Sequence, residues 1–525
     1  MTESLHRAPG GRDDEALPSM AAGSRRDGCD GFEIAADPMY GIPGIADDLA
    51  DAFRTHLGIA SVADLLGAAR DRRLRDLPEF DSRRERKLLN GLLRLQRPEI
   101  GITLDWADAL ADRLIRGIEE IAGVEVVPVG ALRRRRDLVA TLDVLATCDD
   151  PSALFARIAP GGRSRLGRVM GRGSSSRSYP YMMMRVGGGM RARVYVAHPR
   201  QRVAALHHLT GSPRHLLDLR GLGPGIDGEA PDASSEEEIY RSFGLDFIPP
   251  ELRRGNGEVA TVREFGLPRL IERSHRRGEL HAHTDWSDGR AGVEEMVRAA
   301  RERDLEYLAI TDHSESLHIA GGLSREQILR QGDVIRRIGK EYPDIRVLWG
   351  LEVDILEDGT LDMPDELLAR LDFVLASAHS GLFASGAEGL TRRLLAAIHH
   401  PLVDAIGHPT GRILGIRDPG PPDMPAVLEA ARATGTILEI NASPDRLDLP
   451  CEWVDVARST GVGLAINTDA HGPEDLDLDR YGIDCARRGW CGPADLVNCS
   501  DTGGFARILS TPKRDRWRLF AEREG

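Results

Sequence analysis

The chain has 525 residues, with 69 Lys+Arg against 83 Asp+Glu and a formal net charge of -14. That length exceeds one ordinary core, so two to four domains are expected, and the acidic balance gives no global attraction to nucleic acid or anionic membrane. The six cysteines (Cys29, Cys148, Cys451, Cys485, Cys491, Cys499) include no CxxC pair, which argues against a disulfide scaffold or a thiolate zinc site and fits a reducing cytoplasm.

The opening MTESLHRAPGGRDDEALPSM lacks the apolar core of a signal peptide, and no later stretch is long enough to span a bilayer. A soluble, cytoplasmic protein without a membrane partner is expected. Residues 1–38 mix Gly, Asp, Arg and Pro with little apolar content and are expected to be a disordered tail. Residues 39–97 turn helical, with apolar spacing of three and four and Gly-Pro-Gly punctuation in GIPGIADDLADAFRTHLGIASVADLLGAA, the pattern of helix-hairpin-helix units. Ala46 stands where a second hairpin glycine is common, Asp47 and Asp48 follow, and the second unit, LPEFDSRRERKLL, has no glycine. Packing, rather than a DNA clamp, is the expected role.

Residues 98–245 read as a mixed α+β region with a helix over 106–121 and strands in VEVVPVG, LVATLDVLAT and RARVYVA. Between 151 and 220 every charged residue is Arg except Asp218, a local positive face suited to a phosphate backbone. GRGSSSRSYPYMMMRVGGGM (171–190) reads as a long loop flanked by strands. Paired prolines in IPPELRRGNGE mark a linker over 246–274.

From 275 to 525 one device repeats: a short apolar strand ending in a polar cluster, then a helical stretch. The strand ends are GELHAHTD, YLAITDHS, VLWGLEVD, FVLASAHS, DAIGHPTG, ILEINASP and LAINTDAH. Seven such units predict a closed, distorted (β/α)7 barrel with its site at the C-terminal strand ends. His281, His283, Asp288, His313, Glu352, His379, His408, Asp469 and His471 all fall there. His281 and His283 share a strand face, so their imidazoles can converge. Burying nine such groups without matching Lys or Arg is costly, and metal ions would supply the positive charge. Without thiolates the ligand set suits Mn²⁺, Zn²⁺ or Fe²⁺ in a polynuclear cluster.

Those motifs resemble the PHP (polymerase and histidinol phosphatase) family of metal-dependent phosphoesterases, and all nine ligand positions match. The resemblance implies three divalent ions, Mn²⁺ first and Zn²⁺ or Fe²⁺ as alternatives. His281, His283, Glu352 and Asp469 would hold one ion; Glu352 would bridge to a second held by His379 and His408; Asp288, His313 and His471 would hold the third. Arg412 in GHPTGR and Arg446 in SPDRLDL follow strand ends and are candidates to contact a substrate phosphate.

The upstream half resembles the bacterial and archaeal family X DNA polymerases that carry a C-terminal PHP domain. GALRRRRDLVATLDVLA matches their GSLRR…GDIDIL element, LTGSPRHLLDLR their TGS-containing helix, and YRSFGLDFIPPELRRGNGE followed by GELHAHTDWSDG their junction. The polymerase signature is damaged. The D-x-D pair reads Thr141-Leu142-Asp143, the strand for the third Asp reads RARVYVA with Ala192 or a neighbour in its place, and the glycine-serine element reads Gly130-Ala131. The first hairpin unit and lyase lysine of that family are unmatched. One carboxylate cannot hold the two magnesium ions of nucleotidyl transfer. The resulting expectation is a metal-dependent phosphoesterase acting on DNA, a 3′–5′ exonuclease or 3′-end phosphatase, whose degenerate polymerase region binds single-stranded, gapped or 3′-end DNA. The alternatives are a small-molecule phosphatase of the histidinol-phosphatase type and a non-catalytic DNA-binding scaffold.

Overall fold

The computed structural model describes residues 42–521 apart from 44, 46, 78–79, 163, 176–178, 224–232 and 419. The expected tail over 1–38, and Ala46 in the first hairpin, lie outside the described residues. Among the described residues the N-terminal region has three α-helices, Asp47–Leu57, Val62–Arg70 and Ser82–Leu95, and a short 3-10 turn, Arg73–Asp76. The helix Ser82–Leu95 begins sharply because Asp81 caps it, its carboxylate accepting from the amides of Arg83 and Arg84.

Two short strands, β1 (Ile102–Thr103) and β3 (Leu138–Val139), pair antiparallel beside the helix Leu104–Ala122, which ends at Gly123 in the left-handed conformation. The palm-like sheet has the order β2-β4-β7-β6-β5, from β2 (Val126–Val129), β4 (Leu142–Thr147), β5 (Arg168–Ser174), β6 (Pro180–Val186) and β7 (Met190–Ala197). β4 and β7 run parallel; the other pairs are antiparallel. The segment 171–190, expected to be a loop, is mostly the β5–β6 hairpin. Met182, Met184 and Val186 alternate into the core, and pairing with β7 outweighs the Gly/Ser content. The 246–274 segment carries the helix Glu258–Phe265, and its Leu252, Val259, Val262 and Leu270 pack with Tyr240 and with Trp490 of the C-terminal half.

Seven parallel strands follow in strict sequence order: β8 (Gly278–Ala282), β9 (Tyr307–Ile310), β10 (Arg346–Asp354), β11 (Phe373–Ser377), β12 (Ala405–Ile406), β13 (Ile437–Asn441) and β14 (Leu464–Asn467). The ring closes where the chain leaving β14 meets β8, the amide of His283 donating to Ala470 O at 2.7 Å. Residues two apart on a strand share a face, so the lumen is layered. Its floor is Tyr307, Leu348, Phe373, Leu375, Ile437 and Ala465, stoppered by Phe505 and Phe520 from the C-terminal helices. Above that floor, Glu352, Glu439, Asn441 and Asn467 replace apolar residues on β10, β13 and β14.

The two halves are docked through buried contacts. Leu414, Leu447 and Tyr481 of the barrel join the core of the N-terminal helices and palm sheet. Arg94, fully buried on helix Ser82–Leu95, donates to Leu414 O at 2.7 Å and pairs with Asp445 at 2.6 Å. Arg135 bridges Asp108 and Asp484. Among the described residues no helix is long and apolar enough to cross a membrane.

Candidate metal centre and the palm-like sheet

All nine singled-out groups meet at the C-terminal mouth of the barrel. Glu352, on β10 and 1% exposed, is central. Its Oε2 faces His281 Nε2 at 3.4 Å, His283 Nε2 at 3.6 Å and His313 Nδ1 at 2.8 Å, while Oε1 faces His379 Nε2 at 3.3 Å and His408 Nε2 at 3.1 Å. Asp469 Oδ1 stands 3.3 Å from His283 Nε2 and 3.7 Å from His281 Nε2. Asp288 Oδ1 lies 3.1 Å from His471 and 3.4 Å from His313. Thus one carboxylate spans two groups of imidazoles and another stands between a further pair. His283 belongs to both neighbourhoods, grouping with His281 and Glu352 and also with Asp288, His313 and His471.

The orphaned atoms show that a cation fits. His281 Nε2, both nitrogens of His283, His313 Nδ1, Glu352 Oε2 and Asp288 Oδ1 are buried and make no hydrogen bond, although they crowd one another. Atoms that converge without hydrogen-bonding, each a lone-pair donor, have the chemistry of a metal-ligand set. Electrostatics says the same. Burial opposes charge on His313, yet Glu352 and Asp288 outweigh it and hold its pKa up at about 10; Glu352, despite burial, is held well below the usual carboxylate range by His281, His313 and His379. On His408 burial wins, aided by Arg446, and its pKa falls to about 4.

A second layer fixes which nitrogen the rings of His281, His379 and His471 present, and holds the backbone of His408. Glu439 Oε1 lies 2.8 Å from His281 Nδ1, and its Oε2 accepts from the His408 amide at 2.7 Å. Asp354 accepts from the His379 amide and stands 3.3 Å from its Nδ1; His471 Nδ1 donates to Asp469 O at 2.8 Å. Each anchor turns Nε2 toward the centre. Glu439 and Asp354 were missed in the sequence. The available signal was a carboxylate inside an otherwise apolar strand, as in ILEIN. His408 and Asp469 adopt positive φ (29° and 54°), a strained backbone that aims their side chains inward.

The two candidate phosphate ligands part company. Arg446 stays at the mouth, with Nε 3.7 Å from Asp469 Oδ2 and Nη1 buried and unpartnered. Arg412 is instead a fastener: it donates to Arg446 O and Leu447 O and pairs at 3.0 Å with Asp137 of the palm-like region. Asp137 also pairs with Arg488, so its charge is already compensated and Arg412 is turned from the mouth.

In the palm-like sheet, Asp143 is 8% exposed and its register partner on β7 is Arg193. Arg193 forms a bidentate pair with it, Nε to Oδ1 at 2.7 Å and Nη2 to Oδ2 at 2.8 Å. The residue opposite Asp143 on β7 is therefore Arg193, the neighbour of Ala192, and its guanidinium occupies both oxygens of the Asp143 carboxylate. Gly130 remains necessary, since a Cβ there would come within 2.7 Å of Asp143 Oδ2. The arginines of 151–220 divide similarly. Arg165 and Arg202 pair with Glu120 and Glu125, whereas Arg168, Arg172, Arg185 and Arg200, also at the surface, have no acidic partner within ion-pair distance among the described residues.

The comparisons with known proteins cover both halves of the chain. The PHP domain family matches residues 279–443. The DNA polymerase/3′-5′ exonuclease PolX of Bacillus subtilis (strain 168) is 33% identical over 477 residues, covering 88% of this chain and 82% of its own length. A probable phosphatase of Thermoanaerobacter sp. (strain X514) is 30% identical over 247 residues, 45% of this chain and 95% of its own. Among solved structures, the histidinol phosphate phosphatase of Lactococcus lactis, complexed with zinc, L-histidinol and phosphate, covers 40% of this chain and 94% of its own at 17% identity and a TM-score of 0.31. The chain belongs to the PolX family, the family X DNA polymerases that carry a C-terminal PHP phosphoesterase domain.

Proposed function

We propose that this chain is a divalent-metal-dependent phosphoesterase acting on DNA, a 3′–5′ exonuclease or 3′-end phosphatase, and that it does not synthesise DNA. The observation that carries the reading is the contrast between two sites: nine converging groups with orphaned donor atoms in the barrel, and a lone Asp143 closed by Arg193 in the palm-like sheet. The proposed ligands are His281, His283, Glu352 and Asp469 for one ion, Glu352 with His379 and His408 for a second, and Asp288, His313 and His471 for a third. His283 also neighbours the third set. Mn²⁺ is the first choice for such a nitrogen- and oxygen-rich set, then Zn²⁺ or Fe²⁺.

Bound there, such ions lower the pKa of water and neutralise charge on a phosphoryl group. The chain contributes position. Glu439 and Asp354 keep His281 and His379 oriented, and the partly exposed side chains of Asp288 and His379 mark the entry side. Arg446, unpartnered at Nη1, can accompany an incoming phosphate. The DNA preference of the reading is supported by similarity to a protein named for 3′-5′ exonuclease activity over most of both chains. The test is a 5′-labelled single strand, with and without a 3′-phosphate, incubated with Mn²⁺ and then with EDTA. Stepwise shortening or loss of the 3′-phosphate in Mn²⁺ alone supports the proposal; hydrolysis only of small phosphomonoesters overturns it in favour of a small-molecule phosphatase.

A further inference from the structure

A cavity of about 550 Å³ lies between the N-terminal helix Ser82–Leu95 and the barrel mouth, and Asp469 of the nine-group centre forms part of its wall. The sequence SRRERKLLNGLLRL lays Arg83, Lys87, Asn90 and Arg94 along one helical stripe at spacings of three and four, with Arg86 one turn from Arg83. Arg94, docked on Leu414 O and Asp445, fixes the helix against the barrel. Arg83 reaches across to the backbone of Asp469, its Nη2 3.3 Å from the carbonyl oxygen. A helical unit expected only to pack thus roofs the centre.

The roof carries more positive charge than its acids balance. Lys87 is matched by Asp105 at 3.7 Å, and Arg290 by Glu474 and Asp475. Arg86 has no hydrogen bond or ion pair among the described residues. The charges acting on it are Arg83, Asp288, Arg75 and Arg446, of which only Asp288 is negative. In the proposed reading Asp288 is a metal ligand, so a cation bound there removes the one acid that offsets this group. Arg446 adds a buried, unpartnered Nη1 to the same wall. Of these three guanidinium groups, Arg446 has Asp469 at 3.7 Å and Arg83 acts on Asp475. Asp469 is shared with His281 and His283 and Asp475 with Arg290, so the cluster keeps positive charge for an external anion. A phosphate accepts hydrogen bonds in the planar pattern guanidinium offers. Phe80 and Trp106 furnish an apolar side to the cavity, and its size suits a nucleotide rather than a bare phosphate.

We propose that Arg83 and Arg86, with Arg446, form a nucleotide subsite that holds the DNA phosphate next to the hydrolysed bond, so that the N-terminal helix makes the barrel a polynucleotide enzyme. This rests on the phosphoesterase reading above and adds its specificity determinant. Small phosphomonoesters reach the same centre without occupying the subsite.

The test uses the full-length protein and two substitutions, Arg86→Ala, which breaks no internal hydrogen bond, and Arg83→Ala combined with Arg86→Ala, each checked for unchanged thermal unfolding. The first readout needs no catalysis: binding of a fluorescent single-stranded oligodeoxynucleotide in EDTA as salt is varied. Losing two phosphate contacts should lower the slope of log affinity against log salt by about 1.4. The second is selectivity in Mn²⁺, where KM for the oligonucleotide should rise about 10- to 100-fold and kcat/KM should fall far more for it than for p-nitrophenyl phosphate. An unchanged salt slope, or equal loss on both substrates, overturns the subsite. If the unsubstituted protein leaves oligonucleotides intact in Mn²⁺, the phosphoesterase-on-DNA reading fails, and the binding slope alone then decides for or against the subsite.

Discussion

The barrel mouth and the palm-like sheet solve the problem of buried charge in opposite ways. At the mouth, Glu352, Asp469 and Asp288 sit among six imidazoles, five presenting Nε2 to these carboxylates and His313 presenting Nδ1 to Glu352 and Nε2 to Asp288, and several donor atoms are left without hydrogen bonds. In the sheet, Asp143 is satisfied by two hydrogen bonds from Arg193 and nothing is left over. Crowded lone pairs without hydrogen bonds mark a site whose chemistry suits cations, whereas an internal counter-ion marks a carboxylate that is neutralised without one. The distinction is visible in individual atoms and does not depend on how much of the ancestral motif survives.

Removing a ligand is the strongest way to break the comparison. His313→Ala or Asp469→Ala should reduce phosphoester hydrolysis by more than about 100-fold and lower the bound-metal content, since second-layer changes alone typically cost 10- to 100-fold. Elemental analysis alongside a rate measurement checks both. Full activity in either variant, or in EDTA-treated protein, would remove the cluster assignment. Glu439→Gln sharpens the same side with a smaller effect. It keeps the shape but removes the charge that faces His281 Nδ1 and receives the His408 amide, so a loss of about 10- to 100-fold is expected with the fold retained. A Glu439→Gln rate equal to the unsubstituted one would show that the anchor does not matter.

On the opposite side, Arg193→Met leaves Asp143 nearly buried and unpaired. Full removal of a buried partner costs roughly 3–5 kcal/mol, and since a third of the Arg193 side chain is exposed, about 1–3 kcal/mol is expected here. Urea unfolding measures it, and Asp143→Asn combined with Arg193→Met should recover part of the loss. If Arg193→Met is neutral, the pair does not stabilise the sheet.

How far these features were legible in the sequence follows from physical range. Seven apolar runs with polar ends were readable because strand, turn and helix signals are local, and the nine groups lay at those ends. Glu439 escaped because it sits within ILEIN, two residues before the strand end, where its role depends on His281 on a strand 158 positions away. Arg412 misled for the same reason, since its partner Asp137 is 275 positions distant and belongs to another domain. The β5–β6 hairpin was hidden by Gly and Ser whose weak strand preference is overruled by pairing with β7. The Arg83–Arg94 stripe was legible as amphipathic, but nothing local says that its polar face would meet a barrel mouth.

The smallest expected effect is none at all. Given a gapped primer–template, nucleotides and Mg²⁺ or Mn²⁺, the His313→Ala protein, used so that degradation cannot mask synthesis, should not extend the primer, and adding Asp143→Ala should change nothing. Nucleotidyl transfer needs ions on both the attacking and the leaving oxygen, and carboxylates to hold them close together. Thr141 brings no charge, and Asp143 is already paired with Arg193. To admit an ion, that bidentate pair must break, and the displaced guanidinium would remain beside the incoming cation, repelling it. Arg193→Ala relieves that repulsion but still leaves a single carboxylate, so it too should not restore extension. Template-directed incorporation that Asp143→Ala abolishes would show that the pair opens on substrate binding and that the sheet retains a working polymerase site.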